Sequence, residues 1–156
     1  MRLRIAAMGR IGPGPEHAMI ETYRNRADAA GRAIALGPLV IDEIDERKAK
    51  TQAAQADALR ARVAKGGVTV VLDERGRPLS SPDFANLLAD WRDQGRAEAA
   101  FLIGGADGHA PDLRREADLL LGFGPMVWPH MLARVMLTEQ IWRAISILTN
   151  SPYHRD

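Results

Sequence analysis

The chain has 156 residues, enough for one domain with a sizeable core, and its 46% hydrophobic and 26% charged residues are those of a soluble globular protein. With 21 Lys and Arg against 20 Asp and Glu, no broad basic surface is implied, so any nucleic-acid contact must rest on local clusters or on two subunits pooling theirs. Cysteine is absent, which excludes disulfides, cysteine metal sites and thiol catalysis, and no apolar run is long enough to span a bilayer, so no membrane partner is expected.

The opening stretch, Met1 to Gly9, has a basic flank and a short apolar run. It reads as a first strand, Leu3 to Met8, rather than as a signal peptide, and a cytoplasmic location is expected. An amphipathic helix follows from Pro15 to Ala30. The next apolar run, Ala33 to Ile44, is interrupted by Gly37-Pro38. A second helical pattern, rich in Ala, Gln, Arg and Lys, spans Ala49 to Ala64. Val68 to Leu72 is the best strand, being β-branched, continuous and preceded by Gly66-Gly67. Ser81-Pro82-Asp83 starts a helix through Trp91, with Ser81 as its cap and Pro82 at its first position. Ala99 to Ile103 and a shorter run near Leu119 to Val127 supply the remaining strands. The last helix, His130 to Leu148, carries Leu132, Val135, Met136, Ile141 and Ile145 near helical spacing. Strands alternating with helices predict an α/β domain with a mainly parallel sheet flanked by helices. No repeat, low-complexity tract or linker divides it, so residues 1–156 are expected to form one domain.

Parallel α/β sheets bind ligands at the carboxyl ends of their strands. Three loops there stand out: Leu72 to Gly76, Leu102 to Gly108, and Gly122 to His130. Adjacent glycines in Ile103-Gly104-Gly105-Ala106-Asp107-Gly108 let backbone groups approach a ligand, yet the run also reads as a tight turn. It does not match G-x-G-x-x-G, and no phosphate-loop Lys follows. Gly122-Phe123-Gly124-Pro125-Met126-Val127-Trp128-Pro129 reads either as a rigid loop burying its large side chains or as one wall of a slot for an adenine edge. The four histidines, His17, His109, His130 and His154, lack metal-ligand spacing, so no metal is expected. His130 opens a helix, where capping and catalysis are both open. No G-x-S-x-G marks a serine hydrolase.

The carboxyl terminus, Pro152-Tyr153-His154-Arg155-Asp156, places an aromatic, an imidazole and a guanidinium in succession. Such a run is either a solvated tail or a set of groups that stack on a base and pair with phosphate. Arg134 and Arg143 on the last helix would add charge near that end. Their plainer reading is helix solubility or a salt bridge, as between Arg143 and Glu139 four residues earlier.

At these motifs the sequence resembles the bacterial 23S rRNA (pseudouridine-3)-methyltransferase family, minimal enzymes of the SPOUT class. The resemblance is carried by Leu72-Asp73-Glu74-Arg75-Gly76 and the Pro-Leu-Ser-Ser that follows, by Phe101 to Gly108, and by Pro129 to Val135. Glu139-Gln140, Arg143-Ala144 and Pro152-Tyr153-His154-Arg155 complete it; together they cover about the C-terminal half. The resemblance implies a SPOUT fold with a trefoil knot near the carboxyl end. It implies S-adenosyl-L-methionine as cofactor, in a pocket using Leu72, Gly104, Phe123, Gly124, Pro125, Met126, Val127 and Trp128. It implies a homodimer with the last helix in the interface and the tail reaching the partner's site. The implied substrate is a pseudouridine of 23S rRNA, in the large subunit or the assembled 70S ribosome, methylated at the position-3 ring nitrogen. Catalytic roles then fall to His154, Arg143, Arg155 and Tyr153. Trp128 and Trp142 stand where the family more often has Leu and Tyr. Two alternatives are kept: a SPOUT relative acting on tRNA or another rRNA nucleotide, and a non-catalytic ribosome-associated binding factor.

Overall fold

The computed structural model describes residues 1–154. Five strands form one parallel sheet: β1 (Arg2–Met8), β2 (Leu39–Ile44), β3 (Val68–Pro78), β4 (Glu98–Ile103) and β5 (Leu119–Gly122), in the spatial order β2-β1-β4-β3-β5. The helices are α1 (Pro15–Gly31), α2 (Gln52–Arg60), α3 (Ser81–Asp93), α4 (Pro111–Glu116) and α5 (His130–Leu148).

Both faces of the sheet are covered, and strand alternation decides what each face buries. Leu3, Ile5 and Ala7 of β1, with Ala99, Phe101 and Ile103 of β4, point to one face. There they pack with Ala27 of α1, Phe84 and Leu88 of α3, and Leu137, Ile141 and Ile145 of α5. Ala6, Met8, Ala100 and Leu102 point the other way, onto Ala56 and Leu59 of α2 and Leu113 of α4. Each of the larger fully buried side chains contributes about 1.5–3 kcal/mol. The wider hydrophobic share lies under α1, α3 and α5, so those helices form the thicker layer.

The predicted strands and helices are present, with local differences. The second helical pattern shrinks to Gln52–Arg60, because Thr51 Oγ1 accepts from the Ala54 N–H and so fixes the start. Residues before it are drawn into a 3-10 turn at Glu46–Lys48, which Asp45 caps by accepting from the Arg47 N–H. The cap of α3 is Ser80, not Ser81; its Oγ accepts from the Asp83 N–H and donates to Asp83 Oδ2. Pro82 is therefore the second helical residue, and Ser81 is free to donate to Gln140 Oε1 of α5 at 2.8 Å. The short α4 was not anticipated; six residues are too few for periodicity to show. No described helix is long and apolar enough to cross a membrane.

Candidate active site

Strand β3 does something unusual at its end. Leu72 and Arg77 both pair with Leu121 of β5, so residues 73–76 bow around that strand before pairing resumes. Backbone meets backbone there. A Cβ on Gly76 would lie 2.3 Å from the Leu121 carbonyl carbon, and one on Gly122 would lie 2.6 Å from the Gly76 oxygen. Only glycine fits at either position.

This bow, the loop after β4 and the loop after β5 enclose a cleft of 320 Å³ at the carboxyl ends of the three strands. Leu72, Gly104, Phe123, Gly124, Met126, Val127 and Trp128 all line it. Pro125 is in the same loop, exposed, and is not part of the lining. Met126 and Val127 are 68% and 79% exposed, so the rim is apolar and open.

The floor is more tightly built. Asp73 Oδ1 accepts from the Arg75 N–H at 3.0 Å, and Asp73 Oδ2 takes an ion pair from Arg114 of α4 at 3.5 Å. His109 is buried beneath Gly104, whose N–H donates to its Nε2 at 3.0 Å. Burial pushes the His109 ring below the ordinary histidine value, with the Asp73 charge opposing. Spacing for metal ligation could not reveal this histidine; the signal was its place five residues after Gly104 in the glycine run.

Arg134 also differs from a solubility residue. It is wholly buried, pairs with Glu43 Oε1 at 2.8 Å, and donates to the Met8 and Gly9 carbonyls at 3.0 and 3.2 Å. Glu43 Oε1 also accepts from the Ile11 N–H. The first turns of α5 are thus pinned to the end of β1. Pro129 caps α5, without a side-chain cap, and His130 lines the cleft instead.

A second cleft, of 720 Å³, lies on the other side of the same wall and shares Leu121, Phe123 and Gly124 with the first. Arg143 and Tyr153 line it, together with Tyr23, Glu139 and Gln140. Glu139 Oε1 accepts from Arg143 Nε and Nη2 at 3.0 and 2.6 Å and from the Tyr153 hydroxyl at 2.9 Å. The expected Glu139–Arg143 pair is therefore present, and it does more than solubilise the helix. Arg143 lies 4.9 Å from the Tyr153 ring centroid, and its Nη1 is 3.3 Å from His154 Nδ1. Trp142 packs on the Tyr153 ring, centroids 5.4 Å apart. Burial and the Glu139 carboxylate raise the Tyr153 hydroxyl far above its usual value, so it stays a donor. Arg155 lies outside the described residues. The structure thus gathers Arg143, Tyr153 and His154 into one cluster, and sets that cluster beside the first cleft rather than in it.

A family model described as "Predicted SPOUT methyltransferase" matches residues 1–154. The chain belongs to the SPOUT methyltransferase family. Several curated relatives match it from end to end. One from Ruegeria sp. (strain TM1040) is 52% identical over 99% of both chains, and one from Roseobacter denitrificans is 53% identical over 100% of both. A third, from Cereibacter sphaeroides (strain ATCC 17023), is 54% identical over 99% of both. All three bear the name ribosomal RNA large subunit methyltransferase H. Among solved structures the chain is similar to the SpoU methyltransferase AviRb from Streptomyces viridochromogenes, in complex with AdoMet. That likeness has a TM-score of 0.45 and 16% identity, covering 96% of this chain and 59% of the other. As a SPOUT methyltransferase, the protein needs a methyl donor and a nucleophilic acceptor brought into line.

Proposed function

We propose that the protein transfers a methyl group from S-adenosyl-L-methionine to the position-3 ring nitrogen of a pseudouridine in 23S rRNA, acting on the assembled ribosome. One observation carries the reading: the three strand-end loops meet in a single cleft in a chain about half identical, end to end, to proteins named for large-subunit rRNA methylation.

The cleft suits the cofactor. Its volume is that of a small-molecule site, of which the usual range is about 300–1,000 Å³. Its walls offer apolar surface from Leu72, Phe123 and Met126, and backbone groups at Gly104, Gly105 and Gly124. That mixture matches a flat heterocycle with a polar edge. Leu72, Gly104, Phe123, Gly124, Met126, Val127 and Trp128 would hold it, and its sulfonium supplies an electrophilic methyl group.

This chain's own residues must then deal with the acceptor. The pseudouridine nitrogen lies between two carbonyls and is protonated at neutral pH, so the proton must leave and the resulting negative charge be stabilised. Arg143 and Arg155 are suited to the second task. His154 is suited to the first, with one condition set by the cluster geometry. Arg143 can only donate, so at 3.3 Å it engages the lone pair of His154 Nδ1. To use that lone pair as a base, His154 must part from Arg143. Tyr153, held protonated, orients rather than abstracts.

Parting comes naturally if the tail serves a second copy of the chain. A homodimer is supported by apolar side chains exposed on the α1 and α5 surface, Met19, Met131 and Leu132, next to the exposed Met126–Trp128 rim. A trefoil knot near the carboxyl end belongs to the same reading, and the close backbone approach of Gly76 to Leu121 and Gly122 accords with it. Action on ribosomes would put the protein in the cytoplasm.

The test is methylation by purified protein with labelled S-adenosylmethionine on ribosomes lacking the modification, with free 23S rRNA and tRNA in parallel. Label at one pseudouridine of assembled ribosomes is expected. Label in tRNA alone would move the substrate; cofactor binding without label in any RNA would favour a binding factor.

A further inference from the structure

We propose that His109 is a positioning residue for the cofactor cleft: as a neutral ring accepting from the Gly104 N–H it clamps the loop after β4 upon itself, and protonation releases the clamp. This rests on the reading of that cleft as the S-adenosylmethionine site.

The argument begins with a donor count. Gly104 N–H points at His109 Nε2 over 3.0 Å, so Nε2 must present a lone pair. A neutral ring that accepts at Nε2 carries its proton on Nδ1. Nδ1 is buried and makes no hydrogen bond among the described residues, while the backbone at Leu72 and Leu102 favours a proton on the ring. One imidazole thus holds the Gly104 backbone from beneath, at one of the positions assigned to the cofactor.

A second proton would set Nε2–H against the Gly104 N–H, two donors face to face. Little room exists to turn away: a Cβ on Gly104 would already lie 3.2 Å from ring atoms Cε1 and Nε2. The ring is 3% exposed, so water cannot easily step in. Two charged groups act on it from neighbouring elements. Asp73, whose side chain is 7% exposed, draws a proton towards the ring; Arg114 of α4, paired with Asp73, repels it. Burial exceeds the Asp73 attraction and lowers the ring's proton affinity below the ordinary 6.5. The sign follows. The folded protein binds fewer protons than the unfolded chain just below pH 6.5, so the contribution to stability is complete above that pH and is lost as pH falls through the folded value. Cofactor affinity should be lost at lower pH still, below the folded value, where the ring of the folded protein takes up its second proton.

The test compares the protein with His109→Gln and His109→Leu. Gln can accept from Gly104 N–H without titrating; Leu can do neither. Binding of S-adenosylhomocysteine is measured by calorimetry from pH 8 to pH 5, and nitrogen NMR of the histidines is recorded without ligand. The parent should show the Nδ1–H tautomer at neutral pH and lose affinity by about tenfold per pH unit below the ring's folded value. H109Q should bind within a few-fold of the parent and lose that slope, whereas H109L should bind weakly at every pH. An Nε2–H tautomer, or an unchanged slope in H109Q, overturns the clamp while leaving the cofactor reading intact. Failure of the parent to bind S-adenosylhomocysteine at any pH overturns the cofactor reading and the proposal with it.

Discussion

The two clefts share a wall but are made of different materials. The first sets apolar side chains on a framework of backbone contacts: glycines that let main chain touch main chain, with a buried imidazole and an ion pair at the floor. The second is walled largely by side chains, with Glu139 as a hub that accepts from Arg143 and Tyr153. A backbone site is fixed once the sheet folds, because its groups cannot rotate away. A side-chain site on one helix and a terminal segment can be undone locally, since its groups are held by hydrogen bonds that water can replace. The first therefore suits a cofactor that must be held the same way each time, and the second suits groups that must change partners.

The comparison can be broken in several places. The largest effect is expected from Gly76→Ala. Its Cβ would meet the Leu121 backbone, so the bow must open; thermal unfolding should show a loss of about 1–3 kcal/mol or more, with ligand binding abolished. Arg134→Met should come next, costing about 3 kcal/mol by denaturant unfolding, since it removes the partner of Glu43 and leaves the Met8 and Gly9 carbonyls unsatisfied. Binding of S-adenosylhomocysteine by the surviving folded fraction should remain, because Arg134 does not line the cleft. Glu139→Gln should keep the fold and cofactor affinity but lower turnover on ribosomes by about tenfold to a hundredfold, the worth of a charged hydrogen bond or two. Equal losses of binding and turnover in that variant would mean the two sites are not separable. Trp128→Ala, at a rim residue 40% exposed, should weaken cofactor binding only a few-fold, read by calorimetry.

How far the sequence revealed this depends on how local each cause is. Val68 to Val71 read as a strand from their own side chains, and they are one. The start of α3 slipped by one residue because two serines in a row, Ser80 and Ser81, are equally good caps; Gln140, 59 residues away, draws Ser81 aside. The loops that line the first cleft were visible as glycine-rich strand ends, but only folding shows that β3 bows around β5 and brings them together. Arg134 was legible only in part for a related reason: a salt bridge was among its expected roles and is present with Glu43, but its complete burial was not foreseen. Its partners come from residues 91 to 126 positions away, and nothing in helical periodicity distinguishes a buried arginine with such partners from a solvated one. Glu139 with Arg143 was legible as a one-turn pair; that Tyr153 joins it required the chain to turn back at Pro152.

The wall itself, Leu121 with Phe123 and Gly124, has a further consequence. It is one chain segment with an occupant expected on each side, so any strain that one occupant places on it alters the fit of the other. Such coupling runs both ways in equal measure. If loading the first cleft sharpens the grip of the second on a nucleotide by some factor, then holding the nucleotide must sharpen the grip on the methyl donor by that same factor.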